Sequence, residues 1–311
     1  MTRKIIFDCD PGVDDGVALL LALSAERRIE LLGITTVAGN VSAELTARNA
    51  CVIREIARRN DVPVFAGCTR PLIREPIEAS HFHGDSGLGD LAIGIPTRYV
   101  EHEHAVDFLI RSLCRAADSS ITIVITGPMT NVASALSREP RCFRGIREFA
   151  IMGGARSEGG NITASAEYNI HADPHAAHKV FNAGSPVWAF GLDATHQVRA
   201  TPARTAAIAA IGSPVAEAAA QLIEFSNALT ANGPRAQGSP LHDPCPILWL
   251  LEPTLFDFVP CHIDVETESR LTLGHTAVEF RAASDRIQNV RWAVSADAPR
   301  IFSLINRLFQ S

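Results

Sequence analysis

The chain has 311 residues, 47% apolar and 20% charged, a globular composition with ample material for a core and no bias toward disorder. A formal net charge of −6 without a basic cluster excludes nucleic acid and anionic membrane surfaces as partners. The seven cysteines form no C-x-x-C pair, the first residues carry no signal-peptide pattern and no apolar run reaches membrane-spanning length, so reduced core thiols in a cytoplasmic protein are expected.

An apolar run, Ile5 to Phe7, predicts a first strand leading into Asp8, Asp10, Asp14 and Asp15, with Pro11 and Gly12 turning the chain between them. Helix-type sequence follows over 16–25, so the acidic loop joins a buried strand to a helix. A strand over 30–36 ends in Val37-Ala38-Gly39-Asn40, then come a helix over 43–60 and a short strand over 62–66. Residues 67–96, with Gly, Pro and His, predict a loop, and loops this long in compact domains are usually functional or mobile. A helix over 104–117 and an apolar strand over 121–125 lead to Thr126-Gly127-Pro128, where Thr130 and Asn131 open the next helix. A strand over 148–152 closes on Gly153-Gly154, and a Gly- and Asn-rich excursion over 156–169 ends in Glu167-Tyr168-Asn169. Helix over 174–183, strand over 187–191 and a helical region over 201–231 precede a loop reaching Leu241-His242-Asp243-Pro244 at a helix start. Antiparallel strands over 261–294 and a helix over 299–309 complete the chain.

This alternation predicts a single large α/β domain over 1–311. Its sheet is mainly parallel and Rossmann-like with helices on both faces, plus a small antiparallel region near the C-terminus. Ligands of such sheets bind beyond the carboxyl ends of the strands. Asp10, Asp14, Asp15, Asn40, Thr126 and Met152 all fall there, joined by the excursion from Asn161 to Asn169.

Four carboxylates within eight residues repel one another unless protons or a cation neutralise them, and a hard divalent metal with oxygen ligands is the natural partner. Helix capping explains Asp14 or Asp15 but not Asp10 with the pair. A phosphatase of the haloacid dehalogenase type also ends a strand in Asp-x-Asp. It needs a downstream Lys followed by an acidic pair; the only lysines here are Lys4, which precedes the Asp-x-Asp, and Lys179, which no acidic pair follows. Asp243 at a helix start can supply a late carboxylate to a metal and leave His242 as a proton donor, although a His-Asp dipeptide is also an ordinary helix start. Asn161, Glu167 and Asn169 suit either turn chemistry or the pairing of sugar hydroxyls.

Asp10-Pro11-Gly12-x-Asp14-Asp15 in this strand-loop-helix setting resembles the signature of the inosine-uridine preferring nucleoside hydrolases. The resemblance runs on through Ala38-Gly39-Asn40, His83-Gly84-x-Ser86-Gly87-Leu88, Thr126-Gly127-Pro128-x-Thr130-Asn131 and Met152-Gly153-Gly154. Gly160-Asn161, Glu167-x-Asn169, Asp173-Pro174 and His242-Asp243-Pro244 complete it. It implies calcium-dependent hydrolysis of the N-glycosidic bond of ribonucleosides, as in purine and pyrimidine salvage. The calcium ligands would be Asp10, Asp15, Asp243 and the backbone carbonyl of Thr126. Asp14, Asn40, Asn161, Glu167 and Asn169 would hold the ribose, with Met152 nearby. Asp10 would take the proton of the attacking water, and His242 would protonate the departing base. A homodimer or homotetramer is the implied assembly.

The base-facing region departs from the pattern. Many relatives carry an aromatic residue or an extra histidine before the His-Asp, whereas this chain reads Ser226-Asn227-Ala228-Leu229-Thr230-Ala231-Asn232-Gly233, with Phe225 the last aromatic. His81 and His83 in the long loop are the candidates to compensate, His83 being taken as a substrate contact. A non-catalytic nucleoside-binding protein on the same scaffold is the alternative from another class. It would be expected to have lost Asp10 or His242.

Overall fold

The computed structural model describes residues 2–92, 94–230, 237–281 and 286–310. The amino-terminal half runs β1 (Arg3–Cys9), α1 (Val13–Ser24), β2 (Ile29–Thr36), α2 (Ala43–Ile56), β3 (Val64–Ala66), a one-turn α3 (Ser80–His83), α4 (Ala105–Arg115), β4 (Ile121–Ile125), α5 (Thr130–Arg138) and β5 (Ile146–Met152). It continues through α6 (Tyr168–Ala172), α7 (Pro174–Phe181), β6 (Val187–Phe190), α8 (Leu192–Thr195), β7 (Arg199–Ala200), α9 (Pro202–Ala209), α10 (Pro214–Thr230) and β8 (Ser239–Pro240). The last elements are α11 (Pro244–Leu251), β9 (Phe256–Val265), β10 (Thr276–Glu279), β11 (Val290–Ala296) and α12 (Ala298–Phe309).

Nine strands form one sheet in the order β10-β9-β11-β6-β5-β4-β1-β2-β3, parallel from β3 to β11. A parallel sheet needs both faces covered, so its strands read as continuous apolar runs; β4 is buried at all five positions. One apolar cluster packs α1, α10, α11 and α12 on one face, and another packs α4, α5 and α7 on the other. Between the sheet and its neighbours α10 and α11, α1 is apolar on nearly every side, which is why its sequence reads Val-Ala-Leu-Leu-Leu-Ala-Leu.

Three sequence expectations change in detail. The antiparallel strands join the main sheet, because β11 runs parallel to β6 while pairing antiparallel with β9. The helical region over 201–231 divides into α9 and α10 at Gly212, whose φ of +70° suits a residue without a side chain. The helix from residue 43 stops at Ile56, where Arg58 enters the left-handed region at φ 54°. Ala231, Asn232 and Gly233 lie outside the described residues. Among the described residues no helix is long and apolar enough to cross a membrane.

Candidate active site

The strand order reverses at β1, since β2 and β3 extend the sheet one way and β4 to β6 the other, and the resulting crevice is where such sheets bind ligands. Asp10 follows β1, Asn40 follows β2, Thr126 follows β4, Met152 ends β5, and Asp14 and Asp15 form the first turn of α1.

Asp15 is fully buried. Its Oδ2 accepts the Gly12 N–H at 3.3 Å and the Asn40 Nδ2–H at 2.9 Å, and its Oδ1 accepts the Thr126 hydroxyl at 2.7 Å. Helix capping and site building therefore coincide in this residue. Asp10, also fully buried, accepts the Asn40 backbone N–H at 2.8 Å on Oδ2, and its Oδ1 has no hydrogen-bond partner. Its carboxylate occupies a slot between two glycines. A Cβ on Gly39 would stand 2.0 Å from Oδ2, and one on Gly127 would stand 2.5 Å from Oδ1. Asp14 accepts the backbone N–H groups of His242 and Asp243 at 2.6 and 3.1 Å on Oδ2, leaving Oδ1 unpartnered. Asp243 precedes α11 without a side-chain capping bond to it and lies within hydrogen-bonding reach of Asp15.

The electrostatics follow from burial. Desolvation, with the Asp15 charge added, pushes Asp10 and Asp243 well above the ordinary carboxylate range. Burial raises Asp14 to about 7 and Asp15 to about 6, against the lowering effect of their hydrogen bonds. Glu167 rises to about 7 for the same reason, despite accepting several backbone N–H groups. Among the described residues no Lys or Arg bonds these carboxylates. As they stand, bound to Asn40, Thr126 and Gly12, no three acidic, His or Cys side chains among the described residues form a ready metal cage. The donor set nevertheless suits a hard cation: all-oxygen, buried, mutually repelling, and with unpartnered oxygens on Asp10 and Asp14.

Above this floor opens a pocket lined by Asp14, Asn40, Thr126, Met152 and Asp243, by Asn161, Glu167 and Asn169, and by His83 and His242. Every candidate residue thus lies on the pocket except Asp10 and Asp15, which sit beneath it. Glu167 caps α6, its Oε1 accepting the Asn169 N–H and its Oε2 the Gly154 N–H, both at 3.0 Å. Asn169 Nδ2 donates to the carbonyls of Thr126 at 2.8 Å and Met152 at 3.2 Å, tying α6 to the ends of β4 and β5. Asn161 Oδ1 accepts the Tyr168 N–H at 2.8 Å.

Other motif residues build the frame. Asp8 turns away to Thr35 and Asn131, at 2.5 and 2.8 Å, so it is not the exposed nucleophile that a phosphatase strand presents. Asp173 caps α7 and accepts the Thr130 hydroxyl at 2.8 Å.

The rest of the pocket combines the 226–230 segment that the sequence reading placed near the base with Phe82, Ile162 and Ser239, which it did not single out. Phe82 of α3 supplies an aromatic wall, with Ile162 and Leu229, while Ser226, Thr230 and Ser239 add hydroxyls. Phe225 instead packs against Gly84 and Gly89 of the long loop. His81 is exposed and packs against Phe82 with the rings tilted at 47°, whereas His83 lines the pocket and accepts the Val13 N–H on Nδ1 at 3.1 Å. Burial, with a lesser contribution from His81, lowers His83 to about 4, so it is neutral near pH 7 with its proton on Nε2. Tyr168 reaches the carbonyls of Gly39 and Ile77 at 2.7 and 3.1 Å.

A family model described as inosine-uridine preferring nucleoside hydrolase matches residues 5–303. The chain is 42% identical over 281 residues to a pyrimidine-specific ribonucleoside hydrolase RihA of a Shewanella species, covering 90% of this chain and 87% of that one. It is 38% identical over 308 residues to the inosine-uridine preferring nucleoside hydrolase of Leishmania major, covering 98% and 96%. Among solved structures, a purine-preferring ribonucleoside hydrolase from Gardnerella vaginalis superposes with a TM-score of 0.90 at 33% identity, over 99% of both chains.

Proposed function

Since the chain belongs to the inosine-uridine preferring nucleoside hydrolase family and hydrolyses the N-glycosidic bond of ribonucleosides to ribose and free base, we propose that the acidic floor holds a calcium ion and the pocket above it holds the ribose. Asp10, Asp15, Asp243 and the Thr126 carbonyl are the calcium ligands of this reading. Bound there, calcium supplies compensation for the buried negative charge and polarises the hydrolytic water.

Asp10 is the general base. Its unpartnered Oδ1 accepts the proton of the attacking water while Asn40 holds Oδ2 in place. Asp14, Asn40, Asn161, Glu167 and Asn169 hold the ribose hydroxyls, with Met152 packing nearby. The carboxylates among them stabilise the positive charge that develops on the sugar as the glycosidic bond breaks. His242 protonates the leaving base, which is worth about 10²- to 10⁴-fold. His83, neutral, offers the substrate its Nε2–H. Phe82 and Leu229 pack on the base, and relatives of similar identity that bear opposite base preferences leave that choice to this wall.

The observation that carries the reading is the convergence of Asp10, Asp14, Asp15 and Asp243, from both ends of the chain, at and beneath the floor of a pocket of amides and carboxylates. The test is ribose release from inosine, uridine and cytidine with calcium, with chelator, and after calcium is restored. Release that chelator abolishes and calcium restores is expected. Release indifferent to chelator would remove the metal from the mechanism, and no release from any riboside would favour a binding protein on this scaffold. The seven unbridged cysteines support a reducing, cytoplasmic setting. The homodimer or homotetramer is checked by light scattering.

A further inference from the structure

Thr195 ends α8, is fully buried, and does not line the pocket. Its hydroxyl lies 2.7 Å from Nδ1 of His242, 47 residues away. The two segments are held in register by pairing of β7 with β8 (Arg199 with Pro240, Ala200 with Ser239) and by the bond from the Leu241 N–H to the Val198 carbonyl. The His242 backbone is fixed from the other side by Asp14, and the His196 ring stands edge-on to its ring at 5.6 Å.

Among the described residues this hydroxyl has no other hydrogen-bond partner. A buried O–H left without an acceptor is costly, so the satisfied arrangement is donation to Nδ1. In the imidazolium form that can give up a proton the same contact runs the other way, Nδ1–H donating to the Thr195 oxygen, so in either state the pair fixes the plane of the ring and leaves the proton to be transferred on Nε2. A threonine in a helix often bonds back to the carbonyl four residues earlier, but here the Gly191 carbonyl is taken by backbone N–H groups and the hydroxyl reaches across to His242.

We propose that Thr195 is the positioning residue for leaving-group protonation, setting the orientation with which protonated His242 presents Nε2–H to the departing base and then accepting the Nδ1–H of the neutral ring that remains. This rests on the reading of His242 as the acid. Without the hydroxyl the ring can turn, and the proton is presented in the wrong place for part of the time. Chemistry that needs the proton suffers while substrate binding does not.

The test compares inosine with 4-nitrophenyl riboside, whose leaving group departs without a proton, for the wild type, Thr195→Val, Thr195→Ser, His242→Ala and the Val/Ala double variant. Thr195→Val should lower the inosine-to-nitrophenyl kcat ratio by about 10-fold or more with inosine KM nearly unchanged. Thr195→Ser should restore most of that ratio. The double variant should show the ratio of His242→Ala alone. Equal loss on both substrates in Thr195→Val, with no recovery in Thr195→Ser, would mark a packing role and overturn the proposal. If His242→Ala shifts the ratio and Thr195→Val does not, the positioning role falls and the acid stands. If His242→Ala leaves the ratio unshifted, both fall.

Discussion

Asp14 and His242 are 228 residues apart, yet one oxygen of Asp14 accepts the backbone N–H of His242 at 2.6 Å and also that of Asp243 at 3.1 Å. The first turn of α1 therefore sets where the proposed acid and the proposed last calcium ligand stand. This carboxylate has two roles that substitution can separate. In Asp14→Ala both N–H groups lose their acceptor, which costs about 1–3 kcal/mol for each left unpaired, so a lower Tm is expected together with loss of kcat/KM. In Asp14→Asn the amide oxygen can keep the tether while the charge facing the sugar is gone. Near-wild-type melting with kcat/KM down by about 10²-fold or more is expected, read by calorimetry and steady-state kinetics. Wild-type activity in Asp14→Asn would remove the carboxylate from the ribose site.

The raised carboxyls make stability depend on pH in a direction that calcium should reverse. Asp14 and Glu167 titrate near 7 and Asp15 near 6 in the folded chain, against ordinary values of 3.8 for Asp and 4.5 for Glu. The folded state without metal thus holds protons that the unfolded state has released. Their contribution is fully present below the ordinary values and is lost as pH rises through 6 to 7. Chelator-treated protein should melt at progressively lower temperature from pH 5 to pH 8. Calcium, which competes with those protons, should raise Tm more at pH 8 than at pH 5. Scanning fluorimetry across that range checks both statements, and a melting temperature indifferent to calcium at pH 8 would contradict the proposed ligand set.

The glycine slot around Asp10 gives a prediction in which no charge is altered. A methyl group at Gly39 or Gly127 would stand within 2.5 Å of a carboxylate oxygen of Asp10, so that carboxylate must move. Gly39→Ala and Gly127→Ala should each weaken calcium binding and lower kcat by about 10²-fold or more, because a displacement near 1 Å at a reacting group costs about that much. Calorimetric titration with calcium alone separates this from a folding defect. Unchanged calcium affinity in both variants would place Asp10 outside the metal site.

Much of this arrangement is legible in the sequence because it is written in features that do not depend on distant contacts. The β4 run Ile121–Ile125 has the unbroken apolar character of a strand covered on both faces, and Asp10, Asn40 and Thr126 are the first polar residues after their strands. The rest is carried by contacts across the fold. Residues 67–96 show no periodicity, so nothing marks Phe82 as the aromatic wall of the pocket, and Phe225, which does stand out, is drawn into packing against two glycines of that loop. The capping signal at Asp14 and Asp15 is real for Asp15, but Asp14 is directed to the far end of the chain. Thr195 carries no local signal, since a threonine at the end of a short helix is ordinary and its meaning comes from His242 alone.

The amide and carboxylate lining also fixes which sugar the pocket accepts. Asn169 commits its Nδ2 to the Thr126 and Met152 carbonyls, and Glu167 is locked by backbone N–H groups of α6 and Gly154, so neither side chain is free to re-pair when a substrate hydroxyl is missing. A 2′-deoxyriboside would leave buried polar groups at the floor, among them the unpartnered oxygen of Asp14, without the donor that ribose brings. Sites built to bond a hydroxyl reject the analogue lacking it by about 10⁴-fold. The expected kcat/KM for 2′-deoxyinosine is therefore at least about 10³-fold below that for inosine, while exchange of the base at constant ribose should change it less. Comparable turnover of inosine and 2′-deoxyinosine would show that the sugar is not gripped through this hydroxyl, and the roles given to Asp14, Glu167 and Asn169 would have to be withdrawn.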